Sequence, residues 1–120
     1  AAFPMLVVGI TRETERVIAH MEEKQSAIKP VAILDAAGSP IKEIAGVPVI
    51  GKLNKLEDAI AQYKPTHLLQ CSNLEHSINL MSACRQHGIT YLLLPSVLGG
   101  ISSKEEVLLV EGQPMIAVRS

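Results

Sequence analysis

The chain has 120 residues, of which 48% are hydrophobic and 19% charged, with a net charge of −1; this suits one compact α/β domain over residues 1–120. Aromatic residues make up only 2% and there is no basic excess, so neither phosphate neutralisation nor base stacking has its usual material, and nucleic acid is excluded as a partner on this reading. No apolar run reaches the roughly 18 to 20 residues of a membrane span and no segment reads as a signal peptide, which points to a soluble, cytoplasmic chain.

Continuous apolar runs alternate with amphipathic stretches, the pattern of a parallel sheet covered on both faces by helices. Residues 5–10 form the first strand. A helix follows over 11–24, with Ile10, Val17, Ile18 and Met21 on one side and Arg12, Glu13, Glu15, Arg16, Glu22 and Glu23 facing water. The second strand, 31–34, ends at Asp35, and Ala36-Ala37-Gly38-Ser39-Pro40 makes a turn. Gly46-Val47-Pro48-Val49-Ile50-Gly51 reads as a brief edge strand, because proline cannot donate to a central ladder.

Asn54 is expected to cap a helix to residue 64, with Glu57 reciprocating and Leu56, Ile60 and Tyr63 buried, and Pro65 stops it. Residues 66–71 form the next central strand. Ser72-Asn73-Leu74-Glu75 is a capping box opening a helix through Ile78, Met81 and Cys84 to His87-Gly88. Residues 89–94 form another strand, closed by Pro95-Ser96; after a loop at 98–103, two strands over 107–110 and 115–118 are joined by a turn. The order predicts a Rossmann-like parallel sheet with a short edge strand and two C-terminal strands. Its switch point falls between the strands at 5–10 and 66–71.

Ligands of such sheets bind beyond the carboxyl ends of the strands at the switch point. That rule nominates Gly9, Ile10, Thr11, Arg12 and Glu13, then Asp35, then Ser72 and Asn73, then Pro95 and Ser96. In a G-x-G-x-x-G loop, glycines provide the turn, the approach of backbone to pyrophosphate and the packing of helix on strand. Here Gly9 stands alone, and Thr11 and Thr14 occupy the later positions. The chain is therefore not expected to hold NAD in the standard way. The helix N-terminus at Thr11 suits a phosphate, with Arg12 adding a charge-assisted contact; alternatively Thr11 is a simple N-cap and Arg12 a solvated residue. Asp35, 26 residues after Gly9, falls where a ribose-binding acid would, and is equally a turn residue.

His20, His67, His76 and His87 have no metal-binding spacing and read as surface or capping residues; His87 before Gly88 suits a helix C-terminus. No metal is expected, and no catalytic residue is nominated: there is no G-x-S-x-G elbow. Cys71 and Cys84 lack C-x-x-C spacing and read as buried free thiols, with a redox sensor as the alternative.

The order of elements carries a resemblance, together with Gly46-Val47-Pro48-Val49-Ile50-Gly51, the following Leu53 to Ile60 helix, Cys84-Arg85-Gln86-His87-Gly88-Ile89 and Glu111-Gly112-Gln113-Pro114-Met115-Ile116. The chain resembles, over nearly its whole length, the CoA-binding-like Rossmann domain of bacterial polyprenyl-phosphate sugar-1-phosphate transferases, which start exopolysaccharide and O-antigen synthesis. The resemblance implies a domain excised from a parent at the cytoplasmic face of the inner membrane, between membrane helices and a catalytic domain, so membrane association comes only through flanking segments. It implies a non-catalytic regulatory or scaffolding role and a nucleotide, nucleotide sugar, NAD or CoA as ligand; Gly9, Thr11, Arg12 and Asp35 are the positions carried over. Three alternatives remain: an interaction module without a ligand, an NAD-dependent nucleotide-sugar dehydrogenase-like protein, and the N-terminal domain of a sugar acetyltransferase. Assembly as a homo-oligomer stays open.

Overall fold

A computed structural model describes residues 2–72, 77–98 and 105–118. The elements run β1 (Phe3–Val8), α1 (Arg12–Glu23), β2 (Ile28–Leu34), β3 (Glu43–Ile44), β4 (Val47–Gly51), a 3₁₀ turn (Leu53–Lys55), α2 (Leu56–Tyr63), β5 (His67–Gln70), α3 (Ser77–His87), β6 (Thr90–Leu93), α4 (Pro95–Leu98), β7 (Glu105–Val110) and β8 (Gln113–Val118). The strands form one sheet in the order β3-β4-β2-β1-β5-β6-β8-β7. Strands β4, β2, β1, β5 and β6 are parallel, and β3, β8 and β7 add antiparallel margins. This is the expected Rossmann-like α/β sheet. Its chain passes from β1 to β2 on one side and reaches β5 on the other, which places the switch point between β1 and β5.

Alternation along the central strands feeds two cores. Met5, Val7, Ile33, Leu69 and Leu92 pack against Val17, Ile18 and Met21 of α1. Leu6, Val8, Leu34, Leu68 and Leu93 pack against Ala59 and Ile60 of α2 and Leu80 and Cys84 of α3. Strands buried on both faces have no polar side to show, which is why they read as unbroken apolar runs.

Four details depart from the sequence reading. The second strand starts at Ile28, three residues early, because the ladder with β1 slips between Met5↔Pro30 and Leu6↔Ala32; a bulge absorbs the proline that lacks a donor. The proline-containing strand is not the edge, since β3 pairs beyond it through a turn in which Ala45 and Gly46 both have positive φ. Asn54 does not cap α2: it lies inside the 3₁₀ turn, Lys55 takes the cap position without a side-chain bond, and Glu57 accepts from or pairs with His87 Nε2 at 2.8 Å instead. Pro95 does more than end a strand, because it opens α4 at the first helical position, where its missing N–H costs nothing. The capping box at 72–75 lies largely outside the described residues.

Candidate functional site

The turn after β1 is held together by hydroxyl groups. Thr11 Oγ1 accepts from Glu13 N at 3.2 Å, and Thr14 Oγ1 accepts from Thr11 N at 3.0 Å, closing a reciprocal cap on α1. Thr14 is fully buried, and its hydroxyl donates to the Gly9 carbonyl at 2.7 Å. Threonine at the third glycine position therefore locks the loop from within. Gly9 itself has φ +99°, and a Cβ there would lie 2.3 Å from Ser72 Cβ and 2.7 Å from Ser72 N. Only glycine lets the β1 and β5 turns meet this closely.

That meeting gathers Thr11, Glu13, Ser72 and Ser96 of the nominated residues, and not Arg12, Asp35 or Pro95. A crevice of about 330 Å³ at the switch point is lined by Thr11, Glu13, Cys71, Ser72, Ser96 and Val97. A neighbouring cavity of about 280 Å³ brings Ile10, Thr11 and Glu15 against Glu43 and Ile44. Arg12 is exposed on the first turn of α1, Pro95 is half-buried at the start of α4, and Asn73 and His76 lie outside the described residues.

Glu13 is held below the usual carboxylate range by a hydrogen bond from Arg16, whose Nη2 is 2.5 Å from Glu13 Oε2. Arg16 Nη1 donates to Gln113 Oε1 at 2.7 Å, and His20 Nε2 meets the Glu111 carbonyl at 2.7 Å, so α1 is fastened to the β7–β8 hairpin. Cys71 and Cys84 are free and buried, as expected, and burial pushes each thiol up to about 12. A thiol held neutral is a poor nucleophile and a poor redox sensor.

Asp35 sits apart from the crevice. It is 4% exposed, its Oδ1 accepts from Ala37 N at 3.1 Å and its Oδ2 from Ser39 N at 2.7 Å. The turn reading of this residue is the one its bonds display. Asp35 borders a third cavity, about 240 Å³, with Gly38, Ser39, Lys42, Gly51 and Lys52. Sequence reasoning missed Lys42 and Lys52, although their places on either side of the 46–51 segment were legible, and it took Thr14 as a lost glycine rather than as the lock of the turn. A separate cavity of about 340 Å³ opens between α3 and β6–β8, lined by Met81, Cys84, Arg85, Tyr91 and Val118, away from the carboxyl ends of the parallel strands. Among the described residues no cluster of three metal-ligating side chains occurs, and no helix is long and apolar enough to cross a membrane.

No protein-family model matches the chain, and no curated protein matches it. Solved structures do. UDP-D-quinovosamine 4-dehydrogenase from Vibrio fischeri is similar over 99% of this chain and 95% of that one, with a TM-score of 0.67 and 19% identity. The Rex-family repressor RSP, in complex with β-NAD+ and operator DNA, is similar over 78% of this chain and 44% of that one, at a TM-score of 0.62 and 17% identity. Dipicolinate-bound dihydrodipicolinate reductase from Paenisporosarcina sp. TG-14 is similar over 78% and 37%, at 0.59 and 19%. The chain spans less than half the length of the repressor and reductase chains. At these identities the likeness shows a Rossmann-type fold.

The repressor overturns the exclusion of nucleic acid. A chain containing this fold is found with operator DNA, and the fold matches only 44% of it. The charge balance of one shared domain is therefore no measure of what a whole chain can hold.

Proposed function

We propose that this chain is a non-catalytic nucleotide-binding domain, regulatory or scaffolding, of a bacterial sugar-1-phosphate transferase acting at the cytoplasmic face of the membrane. The observation that carries the binding reading is the crevice at the switch point, where Gly9, pressed on Ser72, lets Thr11, Ser72 and Ser96 face one space. The ligand lies along the switch-point residues Gly9, Ile10, Thr11, Arg12, Ser72 and Pro95 and reaches Asp35 at the separate cavity after β2. A non-catalytic role is favoured by the occupation of the polar groups there. Thr11, Thr14 and Asp35 are engaged in closing their own turns, and the Cys71 thiol is held neutral.

The similarity to a UDP-sugar dehydrogenase over 95% of that chain favours a nucleotide sugar as ligand, and the repressor and its β-NADH complex favour a nicotinamide dinucleotide. The sugar-transferase parent rests on the sequence resemblance carried by the Gly46 to Gly51 segment and the Glu111 to Ile116 turn. Calorimetric titration with UDP-glucose, NAD+, NADH and CoA tests the reading. Saturable binding of at least one ligand is expected, weakened in Ser96→Trp, which fills the crevice from an exposed position. Silence with all four contradicts it.

A further inference from the structure

The three cavities along the strand ends differ in charge. The switch-point crevice carries Glu13 and its neighbour carries Glu15 and Glu43, whereas the cavity between β2 and β4 carries Lys42 and Lys52. Its one carboxylate, Asp35, has both oxygens turned onto the Ala37 and Ser39 amides. Among the described residues neither lysine is ion-paired. Gly38, at φ +69°, sets the position of Lys52: a Cβ there would lie 2.5 Å from Lys52 Cε and 3.1 Å from its Nζ, so the ammonium rests on the turn. Ser39 Oγ accepts from Ile41 N at 3.3 Å, which leaves its O–H free to donate into the cavity.

Helix α1 is the poorer anion site by the same criteria. The Glu13 and Thr14 amides are already bound, to Thr11 Oγ1 at 3.2 Å and to Thr11 O at 3.1 Å. Glu13 and Glu15 stand in the first turn, where they complement the dipole themselves and repel a second anion.

We infer that the Lys42–Lys52 cavity is an anion subsite, and that it receives the phosphate or pyrophosphate of the ligand in place of the α1 N-terminus. The identity of the ligand as a nucleotide rests on the function proposed above; the anion site does not. Two ammonium groups and a serine hydroxyl supply charge-assisted donors to phosphate oxygens, and the ligand's remaining part extends toward the switch-point crevice.

The test is a titration of the ¹⁵N-labelled chain with inorganic pyrophosphate, read at the backbone amides. Saturable shifts are expected at Ala37, Gly38, Ser39, Gly51 and Lys52, exceeding those at Arg12, Glu13 and Thr14. Lys42→Ala/Lys52→Ala should weaken the apparent affinity by about tenfold or more, and Lys42→Arg/Lys52→Arg should retain it. Both lysines are exposed, so replacing them leaves the core untouched. Largest shifts at Arg12 to Thr14, an unchanged affinity in the alanine variant, or no saturable shift would each overturn the proposal. Nucleotide binding that ignores both lysines removes this subsite and leaves the nucleotide reading standing. Pyrophosphate bound through the lysines, with every nucleotide silent, does the reverse.

Discussion

The turns after β1 and β2 lie side by side, joined by the Gly9 N to Leu34 O bond at 2.8 Å, and each is closed by a side chain folding back on the backbone. In the first, neutral threonine hydroxyls do the closing and acids gather outside; in the second, a carboxylate closes the turn and lysines gather outside. The capping chemistry is thus separable from the charge presented to a ligand. A usual Rossmann loop combines the two at the α1 N-terminus. Here the first turn serves as a rigid joint between β1, α1 and β5, and the second offers the charge.

The largest expected effect breaks that joint. Gly9→Ala combines a positive φ with overlap against Ser72 backbone, and should cost about 2–4 kcal/mol in urea unfolding. Gly38→Ala is the contrasting change, because the atom it meets is the end of a flexible lysine. It should cost only about 1 kcal/mol; equal losses at the two glycines would erase the distinction between the turns.

Thr14→Val keeps the shape and removes the hydroxyl that serves Gly9 O and Thr11 N, leaving the buried Gly9 carbonyl unpaired. A loss of about 2 kcal/mol is expected. Asp35→Ala frees the Ala37 and Ser39 amides in a half-open turn where water can replace the carboxylate, so about 1 kcal/mol is expected from the same unfolding curves. A larger loss from Asp35→Ala than from Thr14→Val would reverse the ranking of joint and charged turn.

The smallest effect lies at the opposite end of β5. Burial lowers the pKa of the half-buried His67 from its ordinary 6.5. The folded chain then takes up the proton less readily than the unfolded chain, so stability is present above about pH 6.5 and declines as pH falls through the lowered value. His67→Gln should flatten the acid side of a melting-temperature profile between pH 7.5 and 5 without altering either turn.

The sheet was legible because its signal is redundant: β1, β2, β5 and β6 each carry an apolar stretch buried on both faces, and the helices between them have one apolar side. The place of the residues around Gly9 at the switch point was legible by topology alone. Their roles were not, because Thr14 acts through a hydrogen bond to a carbonyl five residues away in sequence and Gly9 through contact with Ser72 on another strand. Asn54 failed as a cap because a 3₁₀ turn begins one residue before it, an end effect that periodicity does not resolve. Lys42 and Lys52 escaped notice because ten residues and two strands separate them, and only the β3–β4 reversal brings them to one cavity.

One measurement tests the division of labour between the turns: dissociation constants for UDP-glucose and NAD+ determined side by side for the unaltered chain, Arg12→Ala and Lys52→Ala. For whichever nucleotide binds, Lys52→Ala should weaken affinity by about tenfold and Arg12→Ala by less than about twofold. The reverse order would return the anion to the α1 N-terminus and contradict the account.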